Sequence, residues 1–305
     1  MTNEQNARMK EKTISPVSKK TKAGGGLPWM VVPKAPEEPS AAPISSDVPE
    51  ETRTAPQAEK PIQDILLSSQ ENTELAVPLS AESIRLLTDY ASLLKSWNER
   101  MNLTGITDEE GIAVRHFLDS LTLVSFIEDE MIRQNRQDLT LIDVGTGAGF
   151  PGIPLKVAVP TLQVVLLDSL KKRVQFLETV YSTLELDGIS AIHARAEDVG
   201  KSKPHREYYD IVTARAVAAL PVLAEYCVPL LRVGGIFLAM KGQAEEEVES
   251  ARKAVVELGA TIESVHRFLL PGTEMERTIV VIRKLRNTPA KYPRKAGKAQ
   301  KDPLS

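Results

Sequence analysis

From Leu139 onward the chain repeats one unit, a short apolar run followed by a turn and a helical stretch. The runs are LTLIDV (139–144), LQVVLLD (162–168), ISAIHA (189–194), YDIVTARA (209–216) and IFLAMK (236–241). Helical patterns follow the first run through Val159, the second over Lys171–Leu186, the fourth over Leu220–Leu231 and the fifth over Ala244–Leu258. Each run is too short and too continuously apolar for a half-exposed strand, and alternation with helices requires crossover connections. This implies an α/β fold with a doubly wound, mostly parallel sheet. The last two runs, ATIESVHRFL (260–269) and ERTIVVIRKL (276–285), follow each other with no helix between, which implies an antiparallel edge.

The turn after the first strand, DVGTGAGFPGIP (143–154), is where such a sheet binds a ligand. Glycine there allows a sharp reversal and a close approach of ligand to backbone. Two readings fit. Gly147, Gly149 and Gly152 satisfy G-x-G-x-x-G, a dinucleotide fingerprint that is weak alone. Alternatively Asp143 opens an acid-x-G-x-G-x-G pattern with Gly145, Gly147 and Gly149. A carboxylate at that point repels a pyrophosphate but attracts a sulfonium and its ammonium group. Asp168 ends the second strand, where a carboxylate meets ribose hydroxyls. Ala196 and Glu197, followed by Asp198, come after the third strand and suit an adenine. A dehydrogenase continues into a separate substrate domain, whereas here the chain closes with one extra hairpin. That difference favours S-adenosylmethionine over NAD as cofactor.

Ahead of the sheet, residues 1–75 carry nine prolines from Pro16 to Pro61 and few large apolar side chains, and read as a disordered extension with no packed role. Order is expected from Ser80, a helix N-cap, followed by Ile84, Leu87, Tyr90, Ala91, Leu94, Trp97 and Met101 at helical spacing. A second helix is expected over Gly111–Glu130. The division is therefore a helical cap (76–136), a cofactor-binding domain (137–285) and a basic tail (286–305). The net charge is −3, so any polyanion-binding surface is local. The tail, with Lys291, Arg294, Lys295 and the intervening Tyr292, is a candidate for gripping phosphate and stacking on a base. The one cysteine, Cys227, sits in an apolar helix and reads as core. The absence of a long apolar run or an apolar leader segment predicts a cytoplasmic protein with no membrane contact. No metal site is expected.

Taken together these segments resemble a known family, the bacterial glucose-inhibited-division B proteins, which are 16S ribosomal RNA guanine-N7 methyltransferases with a class I (Rossmann-like) fold. The similarity runs in order through WNERMNLTGIT (97–107), RHFLDSL (115–121), IDVGTGAGFPGIPL (142–155), LLDSLKKRVQFL (166–177), ARAED (194–198), TARAVAAL (213–220), MKG (240–242) and KYPRKAG (291–297). The resemblance implies that Gly145, Phe150, Ala196, Glu197 and Arg215 hold S-adenosylmethionine. It also implies a target in the decoding-region loop of the small-subunit RNA.

Guanine N7 is an unprotonated lone pair on the major-groove edge, so its methylation needs positioning rather than a general base. The residues agree by omission: the fourth strand runs into ARAVAA rather than an Asn-Pro-Pro-aromatic motif, and no Pro-Cys pair is present. Arg215, at the carboxyl edge of the sheet, is the candidate catalytic group, facing guanine O6, a phosphate or the cofactor carboxylate. Asn102, Thr104, Arg115 and His116 in the cap, and Lys241 after the fifth strand, are candidate RNA contacts. Lys171, Lys172 and Arg173 read as a solvated face. Two other classes stay open at this stage: an NAD-dependent oxidoreductase, and a non-catalytic RNA-binding or ribosome-assembly factor on the same fold.

Overall fold

The computed structural model describes residues 60–69 and 79–304. Helix α1 (Ile62–Ser69) and helix α2 (Ala81–Met101) open the described chain. Ser80 caps α2 by accepting from the Ser83 amide at 3.0 Å, as its sequence position suggests. The next helix is interrupted: α3 (Glu109–Gly111) continues as a π-helical stretch (Ile112–Leu118), then α4 (Asp119–Leu121) and α5 (Val124–Gln134).

The sheet follows as β1 (Thr140–Val144), β2 (Gln163–Asp168), β3 (Ile189–His193), β4 (Tyr209–Arg215), β5 (Leu231–Lys241), β6 (Ala260–Leu269) and β7 (Glu276–Lys284). Between the strands lie α6 (Gly152–Ala158), α7 (Lys171–Thr183), α8 (Ala196–Val199), α9 (Leu220–Cys227) and α10 (Glu245–Glu257), and α11 (Lys298–Lys301) ends the chain. Strand order is β3-β2-β1-β4-β5-β7-β6. Pairs from β3 through β5 are parallel, and β7 runs antiparallel to both neighbours. The closing hairpin thus does not simply extend the sheet: its second strand inserts between β5 and its first. β5 also starts earlier than its apolar run: the helical stretch ends in a 3-10 turn, Val228–Leu230, directly before it, and Gly235 lets the strand pass against β4. A Cβ on Gly235 would lie 2.7 Å from the Asp210 carbonyl oxygen.

Two apolar layers cover the sheet. One packs α2, α5, α6 and α7 on one face, and the other packs α9, α10 and the tail residue Tyr292 on the opposite face. The helical cap is therefore continuous with the core beneath the glycine turn. Tyr90 of α2 is fully buried and its hydroxyl donates to the Ala148 carbonyl inside that turn.

Two sequence expectations change here. Residues 62–69 lie inside the stretch read as a disordered extension, yet they form a docked helix. Ile62 and Leu66 are buried in the first layer and the Ile62 amide donates to Glu109 at 3.2 Å. Two apolar residues one turn apart suffice when a ready-made groove receives them, which proline counting does not register. The rest of that expectation, residues 1–59 and 70–75, lies outside the described residues. Leu66→Ala should lower stability by about 2–5 kcal/mol, the range for emptying a closed core site. Denaturant unfolding of the full chain checks this, and a loss below about 0.5 kcal/mol would mean α1 is not docked in solution. The tail also departs from its reading as irregular, since Tyr292 and Ala299 are buried and α11 forms.

Candidate active site

The glycine turn is tied to the second strand, with the Gly145 and Thr146 amides donating to the Leu167 carbonyl at 2.8 and 3.1 Å. Gly149 has φ 102°, and a Cβ there would meet Ile153 at 2.5 Å and the Tyr90 hydroxyl at 2.7 Å, so that glycine serves packing. Gly147 has φ 62° and nothing nearer than 4.0 Å to a built Cβ, so it leaves backbone open to a ligand.

Beside the turn lies an open cleft of about 160 Å³. It runs along the carboxyl ends of β1, β2 and β3. Gly145, Asp168, Ala196 and Glu197 line it, as the sequence suggests, and so do Val217, Tyr226, Gly297 and Gln300, which sequence reasoning missed. The KYPRKAG segment was a visible signal, but not one that named the surface it covers.

Asp168 is almost wholly buried; its carboxylate accepts from the Gly147 amide at 3.0 Å and the Leu170 amide at 2.8 Å. Oδ1, which accepts only from the Leu170 amide, keeps a lone pair for a ligand hydroxyl. Arg173, read as part of a solvated face, reaches the same carboxylate at 3.4 Å. Lys171 and Lys172 are exposed as expected. Glu197 is also buried and accepts from the Gly297 amide at 2.9 Å.

Asp143 corrects the electrostatic reading. Its carboxylate does not face the cleft but points into the strand–helix junction. There it accepts from Thr146 Oγ1 at 2.6 Å, the Gly152 amide at 3.0 Å and Thr213 Oγ1 at 3.3 Å. Complete burial pushes the carboxyl up to about 6, against those hydrogen bonds and the Arg215 charge. Asp143 is a brace for the turn. Because its folded pKa lies above the ordinary value of 3.8, the folded protein binds the proton more tightly than the unfolded chain. Its contribution is therefore fully present below pH about 4 and is lost as pH rises through about 6. The loss amounts to about 3 kcal/mol. Unfolding free energies of wild type and Asp143→Asn between pH 4 and pH 7 isolate this group, and parallel curves would rule it out.

The second constellation sits where β4 meets the cap. Arg215 Nη1 donates to Asp119 at 2.9 Å and to the Arg115 carbonyl at 3.0 Å, while Nη2 donates to His116 Nδ1 at 3.2 Å. The guanidinium lies 5.1 Å from the Phe150 ring centroid, and His116 stacks on the same ring at 4.4 Å. Phe150 is therefore a buried platform; its side chain, like Arg215, does not line the cleft. Asp119 is shared with a second arginine, Arg277 of β7, at 2.8 Å. Neither Asp119 nor Arg277 was legible as a site residue, since their pairing joins positions 158 apart.

His116 is corrected as a cationic RNA contact. Burial first, then the Arg215 charge, pushes its pKa down to about 3, so the ring is neutral. With Nδ1 accepting from Arg215, the proton resides on Nε2 and is donated to Thr104 Oγ1 at 2.8 Å. Thr104 is held in turn by Asn98, 2.9 Å from its amide. Asn102 is the left-handed C-cap of α2 and is exposed, and Arg115 is half-exposed beside Asp108 at 3.4 Å. Lys241 is engaged internally, with Ala218 O at 3.0 Å and Glu247 at 2.8 Å, because the loop after β4 folds back over it. In the tail, Lys295 is exposed and Lys291 pairs with Glu257 at 2.9 Å on the surface. Arg294 is turned inward onto buried Glu225, which removes it from the candidate phosphate contacts. Cys227 is buried, as its apolar setting suggests.

A 3-2-1-4-5-7-6 sheet with one antiparallel strand, a glycine turn after β1 and an acidic residue ending β2 define a class I methyltransferase. The model of the family rRNA small subunit methyltransferase G matches residues 83–279, and the chain belongs to that family. It is 52% identical over 229 residues to the ribosomal RNA small subunit methyltransferase G of Acetivibrio thermocellus, covering 75% of this chain and 92% of that protein. The Staphylococcus carnosus protein of the same name is 51% identical over 217 residues, covering 70% and 88%. Among solved structures, a 16S rRNA (adenine(1408)-N(1))-methyltransferase from Catenulisporales acidiphilia aligns with TM-score 0.43 and 14% identity. That alignment covers 53% of this chain and 92% of that one, and is too distant to bear on the chemistry. Among the described residues no helix is long and apolar enough to cross a membrane, and no group of three His, Cys, Asp or Glu side chains could hold a metal ion.

Proposed function

We propose that the chain transfers a methyl group from S-adenosylmethionine to N7 of a guanosine in 16S ribosomal RNA of the small subunit, in the cytoplasm. The division of labour largely follows the chain: residues 137–285, joined by Gly297 and Gln300 of the tail, hold the cofactor, and the cap (76–136) and the exposed cations of the tail meet the RNA. The cofactor fits the residues present, because the cleft is lined by Gly145 of the glycine turn and by two buried carboxylates, Asp168 and Glu197, set to accept from ribose and base. When bound there, S-adenosylmethionine supplies a methyl group on a sulfonium.

The observation that carries the N7 reading is the state of the groups beside the cleft. Asp119 is ion-paired with two arginines, and both nitrogens of neutral His116 are hydrogen-bonded. No group in this constellation is free to take a proton. Methylation of an exocyclic amine calls for such a group, and methylation of N7 does not. Arg215, supported on Phe150, carries the positive charge that orients guanine O6 or an adjoining phosphate. Asn102, Lys291 and Lys295 are the exposed members of the proposed RNA surface, and Arg115 is half-exposed.

Mass mapping of modified guanosines in 16S RNA, from cells with and without the protein, tests the reading. The expected result is one 7-methylguanosine lost in its absence and restored by the purified protein with S-adenosylmethionine. An unchanged map would leave the assembly-factor reading, and NADH binding without S-adenosylmethionine binding would leave the oxidoreductase.

A further inference from the structure

The C-terminal segment was expected to act as an arm toward RNA, yet its contacts point at the cofactor cleft. Arg206 fastens its start, donating to the carbonyls of Thr288 at 2.8 Å and Tyr292 at 2.7 Å. Arg294 fastens its middle: its amide and guanidinium donate to Glu225, with bonds of 2.6 to 3.0 Å. Tyr292 and Ala299 are buried on either side of that anchor. Between them the chain turns at Gly297, whose amide donates to Glu197 in the cleft wall, and Gly297 and Gln300 complete that wall.

Strand order says which end of the cleft this is. A nucleoside cofactor lies across β1, β2 and β3 in turn, with the glycine turn at one end and ribose at Asp168. The base then falls at the end of β3, against Ala196 and Glu197, which is the part of the wall that Gln300 shares. We propose that the segment Thr288–Lys301 is the adenine-end wall of the cofactor site, and that the Gln300 carboxamide is a specificity-determining group that reads the purine edge. This rests on the S-adenosylmethionine reading above.

The chemistry matches the residue. A carboxamide presents one acceptor and one donor side by side. Adenine presents its N6 amino donor beside the N7 acceptor on its major-groove edge, which permits a two-bond pairing. A 6-oxopurine presents two acceptors there, so one carboxamide bond is lost and two acceptors face each other. Glu197, an acceptor only, cannot supply the complementary donor.

The test measures binding of S-adenosylhomocysteine and S-inosylhomocysteine to the full-length protein by calorimetry, for wild type and Gln300→Leu. Gln300 is exposed, so the variant should keep the wild-type melting temperature. Its affinity for S-adenosylhomocysteine should fall roughly 5- to 150-fold, the range of a two-bond base contact, while S-inosylhomocysteine changes far less. Gln300→Glu should lose adenine affinity as well, because the donor is gone. An unchanged ratio of the two affinities in Gln300→Leu overturns the proposal and leaves the cofactor assignment intact. Loss of RNA affinity with the ratio unchanged overturns it in favour of an RNA arm. Failure of the wild type to bind S-adenosylhomocysteine overturns the cofactor reading itself, and this proposal with it.

Discussion

Arg215→Ala should reduce single-turnover methylation by about 10²-fold or more, the scale for removing one positioned charge from a reacting site. Cofactor affinity should change little, because Arg215 does not line the cleft. The same substitution strips Asp119, only 6% exposed in its side chain, of one of its two arginines, and should cost about 3–5 kcal/mol of stability. Two readouts separate the roles. Arg215→Lys keeps the charge but cannot reach Asp119, the Arg115 carbonyl and His116 together, so it should restore stability better than turnover. The His116 pKa should also rise from about 3 when the arginine charge goes, yet stay below the ordinary 6.5 because burial is the larger cause. A variant with wild-type turnover and an unmoved His116 titration would show that Arg215 serves neither purpose.

Arg294→Met should be of similar size in stability and nearly silent in RNA binding. Glu225 is 1% exposed in its side chain, and Arg294 is its ion-pair partner. Breaking such a pair from one side leaves a buried charge, at a cost of about 3–5 kcal/mol. For a domain of this size that is a drop of roughly 6–20 °C in melting temperature. Arg294→Met with Glu225→Leu should recover most of the loss, since the cost lies in the orphaned carboxylate rather than in the missing bond. Lys291→Gln with Lys295→Gln should leave the melting temperature alone. Two surface cations can flatten the salt dependence of RNA binding by at most about 1.4, at roughly 0.7 per contact. Equal melting temperatures for Arg294→Met and the lysine pair would mean that the tail is not anchored as described.

These two expectations mark where local pattern stops. Arg215 and Arg294 both lie in segments that identify the family, and both read as cations available to a polyanion. Their partners, Asp119 and Glu225, lie 96 and 69 positions away, so neither pairing has a local signal.

The sequence by itself determined the strands, most of the helices and the glycine turn, because apolar periodicity and turn chemistry act over a few residues. It also determined Asp168, Ala196 and Glu197 as cleft residues, because the end of a parallel strand is a fixed place relative to a ligand. Tertiary structure alone decided the rest. It inserted β7 between β5 and β6, docked Ile62 and Leu66 in a groove that other helices build, and turned Asp143 away from the ligand. It neutralised His116 by burial beside Arg215, and it laid the basic tail along the cofactor cleft. In each case the outcome depends on which surface or charge arrives from elsewhere in the chain. A residue's type and spacing carry no record of that.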